Sequence, residues 1–359
     1  MIFSIDTIKQ SLDRSTPIVT NESEYDSSIF CNVLEMIMDE QREFENNMIN
    51  VNEGLISSLA VKAGQKQIDK IKSIDFKEII SKIFDWFINA IEKIHQTFMI
   101  IMSKMINKDV RIKLYKNKLA NFKGEVTYNR KYFDYTNIFS DSSYSNYQLD
   151  ISREYEDLVN KLIGIKDSNS PMKLADTLSQ IRDDINSTNN NLDMIRGKLL
   201  GLNRPVTNAD FANCLFKYFR NDRSEPHNPG LGFSKKNLTS TDIQEAYNIY
   251  FSYSKQEKIV RRESMKLKSQ ALAQKAKIKT INISNYINNK SIITLDAIKE
   301  YNEIINIKCR KIRDICNIYT LFYSAKLDAL KEYNIKSRDI LLVTITEIIK
   351  REGEINDNK

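Results

Sequence analysis

From Ile80 to Met105 an apolar side chain recurs at alternating steps of four and three residues: Ile80, Phe84, Phe87, Ile91, Ile94, Phe98, Ile101 and Met105. A 3.5-residue period sustained this long marks a helix that buries one seam against other helices. At about 1.5–3 kcal/mol per fully buried side chain, the seam offers on the order of 12–24 kcal/mol gross. Exposure of such a seam to water is untenable, which leaves three covers: the chain's own helices, a second copy, or lipid. Trp86, Ile88, Met99, Ile100 and Met102 widen the apolar surface beyond a two-helix seam, and this favours burial in a bundle.

The rest of the chain is consistent with that architecture. No proline falls between Pro17 and Pro171 or after Pro229, and long proline-free stretches naturally build helices. An acidic N-terminal segment, 1–60, is expected to hold one helix, with Ile29, Val33, Met36/Ile37, Phe44 and Met48 on its apolar face. Gly54 and Gly64 punctuate a looser stretch after that helix. The long amphipathic unit, 61–124, starts its helix near Ile74, with Asp75 complementing the N-terminal dipole. Residues 125–149, rich in Tyr and β-branched side chains, predict two or three short strands or an extended arm, with an aromatic-rich loop packed on helices as the other reading. Region 150–285 is helical again, interrupted by a Pro- and Gly-containing loop at 221–238. A basic helix then spans 242–279, opened by capping-box spacing at Thr241-Asp242-Ile243-Gln244. C-terminal helices occupy 286–352: one from about Thr294 with a stripe running Ile298, Ile305, Cys309, Ile312, Cys316, Tyr319 and Tyr323, and a final one from Arg338 to Lys350. Residues 353–359 form a tail. The fold class expected is mainly α: long amphipathic helices packed as an elongated bundle with one small β or extended element.

Charge is distributed unevenly. Residues 1–60 carry eleven acids against Lys9, Arg14 and Arg42, a net of −8. Residues 255–279 carry nine bases (Lys255, Lys258, Arg261, Arg262, Lys266, Lys268, Lys275, Lys277 and Lys279) against two acids, a net of +7. The two segments could meet each other, or each could meet a partner. The nine bases are the candidate anion or nucleic-acid contacts. They lack interleaved aromatics, because Tyr247, Tyr250, Phe251 and Tyr253 precede them, so nucleic acid is possible but not favoured.

Motifs for chemistry are lacking. Cys31, Cys214, Cys309 and Cys316 form no CxxC pair and have only His95 and His227 beside them, so neither a structural metal nor a cysteine nucleophile is expected. Asp183-Asp184 and Glu156-Asp157 are adjacent on helices and diverge by about 100°, a poor geometry for an acid–base pair. Gly230-Leu231-Gly232-Phe233 spells a carboxylate-binding loop, yet no β-sandwich pattern surrounds it. No catalytic residue, no cofactor and no enzyme activity are expected. No signal peptide is read at the start, where Asp6 and Lys9 interrupt the apolar residues. The longest uncharged run in the seam helix, Ile94 to Ser103, falls short of the roughly 20 residues of a membrane span.

One further pattern bears on setting. It comprises an acidic N-terminal helix, then Phe84-Asp85-Trp86-Phe87-Ile88-Asn89-Ala90-Ile91, a lysine-rich Lys113–Lys118, Tyr132-Phe133-Asp134-Tyr135-Thr136-Asn137, and Leu215-Phe216-Lys217-Tyr218-Phe219-Arg220-Asn221 ahead of a polar loop and a basic helix. This order, over roughly residues 29–280, resembles virion-associated proteins of large tailed bacteriophages of low-GC bacteria. The resemblance implies a non-enzymatic structural or internal component of a phage particle, made in the host cytoplasm and located in the virion. Its partners would be other virion proteins and copies of itself. Two alternatives stand beside it: a membrane-active ejection protein using the helix at 79–106, which would meet a membrane only transiently, and a nucleic-acid-binding protein using 255–279.

Overall fold

The computed structural model describes residues 29–59, 76–108, 110–128, 183, 192–200, 202–207, 210–211, 214–215, 236–280 and 295–357. Chain order runs α1 (Ile29–Leu59), α2 (Phe76–Lys108), α3 (Val110–Leu114), α4 (Lys116–Ala120), β1 (Val126–Tyr128), helical residues 192–199, β2 (Lys236–Leu238), α5 (Ser240–Phe251), α6 (Tyr253–Thr280) and α7 (Leu295–Asp357). The architecture is mainly α, helix packed on helix, with one two-stranded antiparallel ribbon.

At 63 residues α7 reaches roughly 95 Å at 1.5 Å per residue, and every other labelled helix and strand β1 meets it along its length. Its first half and middle, Cys309 to Tyr333, join α1, α2, α6 and residues 192–215 in one apolar core. Its C-terminal part, Ile340 to Ile348, joins α3, α4, α5 and the strand pair in a second. The segment boundaries expected from the sequence therefore mark elements of a continuous assembly, since α7 belongs to both cores. The helix directions follow from paired side chains. On α1, Ile29 meets Asp328 while Glu45 meets Arg310, so α1 runs antiparallel to α7. On α6, Lys268 meets Glu92 and Lys275 meets Asp85, so α6 runs antiparallel to α2.

Several boundaries depart from expectation. The C-terminal region is one helix, not two: nothing between Leu295 and Glu352 is Pro or Gly, and the charges that interrupt the apolar stripe near Lys326 are buried in pairs rather than marking a loop. The basic region is two helices, not one, with a break at Ser252. There the Ser252 N–H donates to the Asn248 carbonyl at 3.0 Å and Gln256 Nε2 donates to Ser252 Oγ at 3.0 Å. The capping box lies two residues earlier than expected. Thr239 is the N-cap and Asp242 its reciprocal partner, with Thr239 N–H donating to Asp242 Oδ2 at 2.8 Å. Among the described residues strand β1 pairs with β2, at the end of the loop expected over 221–238: Val126 faces Leu238, and both are buried. Helix α1 continues through Gly54. Residues 129–149, Asp75, Gly230 to Phe233, Glu156-Asp157, Asp184 and the helices expected between 150 and 182 lie outside the described residues.

Near the end of the 192–199 helix, Leu200 and Leu202 both donate backbone N–H groups to the Gly197 carbonyl. A Cβ at Gly197 would sit 1.9 Å from the Arg204 carbonyl oxygen, so only glycine fits this reversal.

Candidate functional site

All eight seam residues of α2 are buried: Ile80, Phe84, Phe87, Ile91, Ile94, Phe98, Ile101 and Met105. They pack against the chain's own α1, α6 and α7. Met102 is buried as well, and Trp86, Ile88 and Met99 pack at the margin. Ile100 is the exception at 55% exposure, because it lies on the side of α2 opposite the seam.

The nine candidate anion contacts do not form one surface. Lys268 donates to Glu92 at 3.0 Å and Lys275 to Asp85 at 2.6 Å, so these two lysines clamp α6 to α2. Lys255, Lys258, Arg261 and Arg262 are exposed and Lys266 is half-buried, with Arg261 on the flank of α6 that reaches His95 of α2. The side chains of Lys277 and Lys279 lie outside the described residues. The acidic N-terminal helix sends its ion pairs elsewhere: Glu45 meets Arg310 at 3.2 Å and Arg313 at 3.7 Å, both on α7.

A set of buried polar residues along α7 went unread in the sequence. From Ile318 to Asp328 every residue of this helix is buried, so the helix is encircled and its polar side chains need partners inside. Lys326 and Glu263 of α6 form an ion pair with side chains 1% and 6% exposed, the ammonium donating to both carboxylate oxygens at 2.6 Å. Burial drives the Lys326 pKa well down. Farther along the helix, Lys331 pairs with Asp328 at 3.0 Å. Asp328 Oδ1 also accepts the backbone N–H of Ile29 at 3.1 Å, placing a carboxylate at the positive end of α1. Asn334 then donates to Gln256 Oε1 at 2.8 Å, while Gln256 Nε2 donates to the Ile249 carbonyl at 3.0 Å. This last contact sits where α5 hands over to α6 and where the two apolar cores meet. The sequence carried one signal for the set, Lys326-x-Asp328-x-x-Lys331 inside an otherwise apolar run.

A second charged cluster joins α1, α7 and residues 192–206. The Arg313 guanidinium lies 4.5 Å from the Phe44 ring centre and within ion-pair reach of Glu45 and Asp314. Arg196, buried, pairs with Asp193. Glu40 sits among these groups, and burial raises its carboxyl to about 7 against the pull of Arg313, with Glu43, Asp314 and Glu45 adding to the rise. Burial likewise raises Asp314, opposed by Arg313, Lys311, Arg196 and Arg310. His95, on α2, is pushed down by burial and by Arg261 and Lys268.

Cys309 and Cys316 are buried apolar contacts, and burial pushes the Cys309 thiol up to about 12, far from nucleophilic reactivity. Among the described residues no group of three or more His, Cys, Asp or Glu side chains is placed to hold a metal ion. Among them, too, no helix is long and apolar enough to cross a membrane. Comparison of the chain with protein-family models, with curated proteins and with solved structures finds no match.

Proposed function

We propose that this chain is a non-enzymatic structural or internal protein of a bacteriophage particle, acting through helix packing and contacts with neighbouring proteins. The observation that carries the reading is the α7 strut: a 63-residue helix gripped along its length by the other helices, with buried ion pairs and amide contacts tying them to it. Such a strut holds surfaces at fixed separations of tens of ångströms, which is mechanical work rather than catalysis. The setting comes from the ordered segments over residues 29–280 that resemble virion-associated proteins of large tailed phages. Burial of the α2 seam inside the chain argues for a packing role of that helix over a membrane role, because inserting it would first require detaching α1, α6 and α7.

Mass spectrometry of gradient-purified particles from the phage that encodes the chain tests the reading. The chain should be present at constant stoichiometry across the particle peak. Its absence from particles while abundant in the infected-cell lysate would overturn a virion role.

A further inference from the structure

We propose that the short helix α3 is a peripheral membrane contact that seats on the surface of an anionic bilayer. This contact is separate from the α2 seam and leaves every helix packed as it is. It stands whether or not the chain is a virion component.

Only one of the five residues of α3 is buried: Ile112, which seats the helix in the second apolar core with Leu119 of α4. At about 100° per residue, Val110 and Leu114 then point about 160° away from Ile112, while Arg111 and Lys113 stand about 100° to either side of it. Both apolar side chains are left in water. Val110 is 61% exposed and Leu114 75%, the highest value among the large apolar side chains of the described residues. A single exposed leucine is ordinary, but here an apolar crest carries a cation on each flank. Arg111 and Lys113 are exposed and make no ion pair among the described residues. Over residues 110–128 five bases (Arg111, Lys113, Lys116, Lys118 and Lys123) stand against one acid, Glu125. An excess of +3 remains once Lys118 is set against Glu352, its partner at 2.6 Å.

An anionic bilayer meets both halves of this pattern. The crest enters the boundary between headgroups and acyl chains, and the guanidinium and ammonium reach back to the phosphates along their methylene stems. Nucleic acid would meet the bases alone, because exposed aliphatic side chains gain nothing from phosphates. The rings that the α4 lysines touch, Phe251 and Tyr115, are partly buried against the second core, so they present no platform on which bases stack. A protein partner would need a larger surface, since five residues offer far less than the roughly 800 Å² per side of a stable interface. A bilayer sets no such threshold: attraction accumulates with each base near the headgroups and each apolar group that enters. The contact is weak, reversible and confined to the surface.

Co-sedimentation of the purified full chain with sucrose-loaded vesicles tests the contact, with phosphatidylcholine alone compared with phosphatidylcholine containing about 30% phosphatidylglycerol. The unaltered chain should bind the anionic vesicles at least about tenfold more tightly than the neutral ones. Val110→Ser with Leu114→Ser and, separately, Arg111→Gln with Lys113→Gln should each weaken that binding about tenfold or more. Met265→Ser, which removes an exposed apolar side chain on α6, should leave it unchanged. All these positions are exposed, and circular dichroism should report unchanged helicity. Leu114→Trp reports depth, read against the unaltered chain, whose one tryptophan is Trp86. Its emission should shift to shorter wavelength on anionic vesicles and be quenched by brominated acyl chains. Failure of the unaltered chain to bind anionic vesicles would overturn the proposal, as would binding that survives either paired substitution. So would a Met265→Ser variant that binds as weakly as the paired ones, or a Leu114→Trp emission that neither shifts nor is quenched when the chain binds. A chain that ignores vesicles and binds DNA through Arg111 and Lys113 would overturn it too. None of these results bears on whether the chain is found in particles, so the two readings fail separately.

Discussion

Replacing Lys326 with Met removes the ammonium that bonds both oxygens of Glu263 at 2.6 Å, deep between α6 and α7. The methylene stem of Met fills the space of the lysine stem, so little of the effect comes from a cavity. What remains is a carboxylate, 6% exposed, deprived of its counter-charge. Breaking a buried pair from one side costs about 3–5 kcal/mol, a fifth or more of the roughly 5–15 kcal/mol that holds a typical domain together. Removing both charges is different: Glu263→Met with Lys326→Met exchanges the pair for apolar volume, and such exchanges are often neutral or stabilising by about 1–4 kcal/mol. Urea unfolding followed by far-ultraviolet circular dichroism should therefore rank the double variant above the single one. Lys331→Met provides an internal comparison. Its partner Asp328 retains the Ile29 N–H as a donor, so the loss should be smaller, about 1–3 kcal/mol. A single Lys326→Met variant within about 1 kcal/mol of the unaltered chain, or a double variant as unstable as the single, would refute the assignment of a desolvated pair.

Phe87→Asp with Ile94→Asp puts two carboxylates into the centre of the α2 seam; their burial cost exceeds the stability of a typical domain, and loss of helicity and of a cooperative melt is expected, whereas an unchanged thermal midpoint would show that this face is not core. For Glu40 the folded pKa, about 7, lies above its ordinary value of 4.5, so the folded state holds a proton that the unfolded state releases. The Glu40 contribution thus falls as pH rises from about 4.5 to 7 and is flat beyond. Glu40→Gln should flatten that part of the thermal-midpoint profile, and a variant profile parallel to the unaltered one across about pH 5 to 8 would count against the assignment. Asp328→Ala withdraws the carboxylate from the first turn of α1 and from the buried Lys331 ammonium, at a cost of about 3–5 kcal/mol, and hydrogen exchange should quicken at the first amides of α1 before it does in α2.

How far these features could be read from residues alone depends on the range of the interaction that produces them. The α2 seam was legible because a helix imposes its period on neighbouring residues: eight apolar side chains at steps of four and three leave no other regular conformation. The mainly α class came from the same logic, together with proline-free stretches. Local signals became ambiguous where two readings met the same rule. Thr239–Asp242 has the same three-residue spacing as Thr241–Gln244. Pairing of Leu238 with Val126, more than a hundred residues away, ends the strand in time for Thr239 to be the cap.

Local pattern misled on the C-terminal region because Lys326, Asp328 and Lys331 look like a solvated interruption of an apolar stripe. Only packing supplies Glu263 and the N-terminus of α1, and with those partners the charges sit inside one unbroken helix. The same holds for the basic segment. Its composition was plain in the sequence, but composition is silent on direction: Lys268 and Lys275 turn to acids on α2, while Lys258 and Arg262 are exposed. A sequence by itself determines periods, caps and net charge, because these arise between residues a few positions apart. Which charges are buried, which are paired and which are left facing out was decided by the tertiary structure, because desolvation and Coulomb energy depend on neighbours brought together from distant parts of the chain.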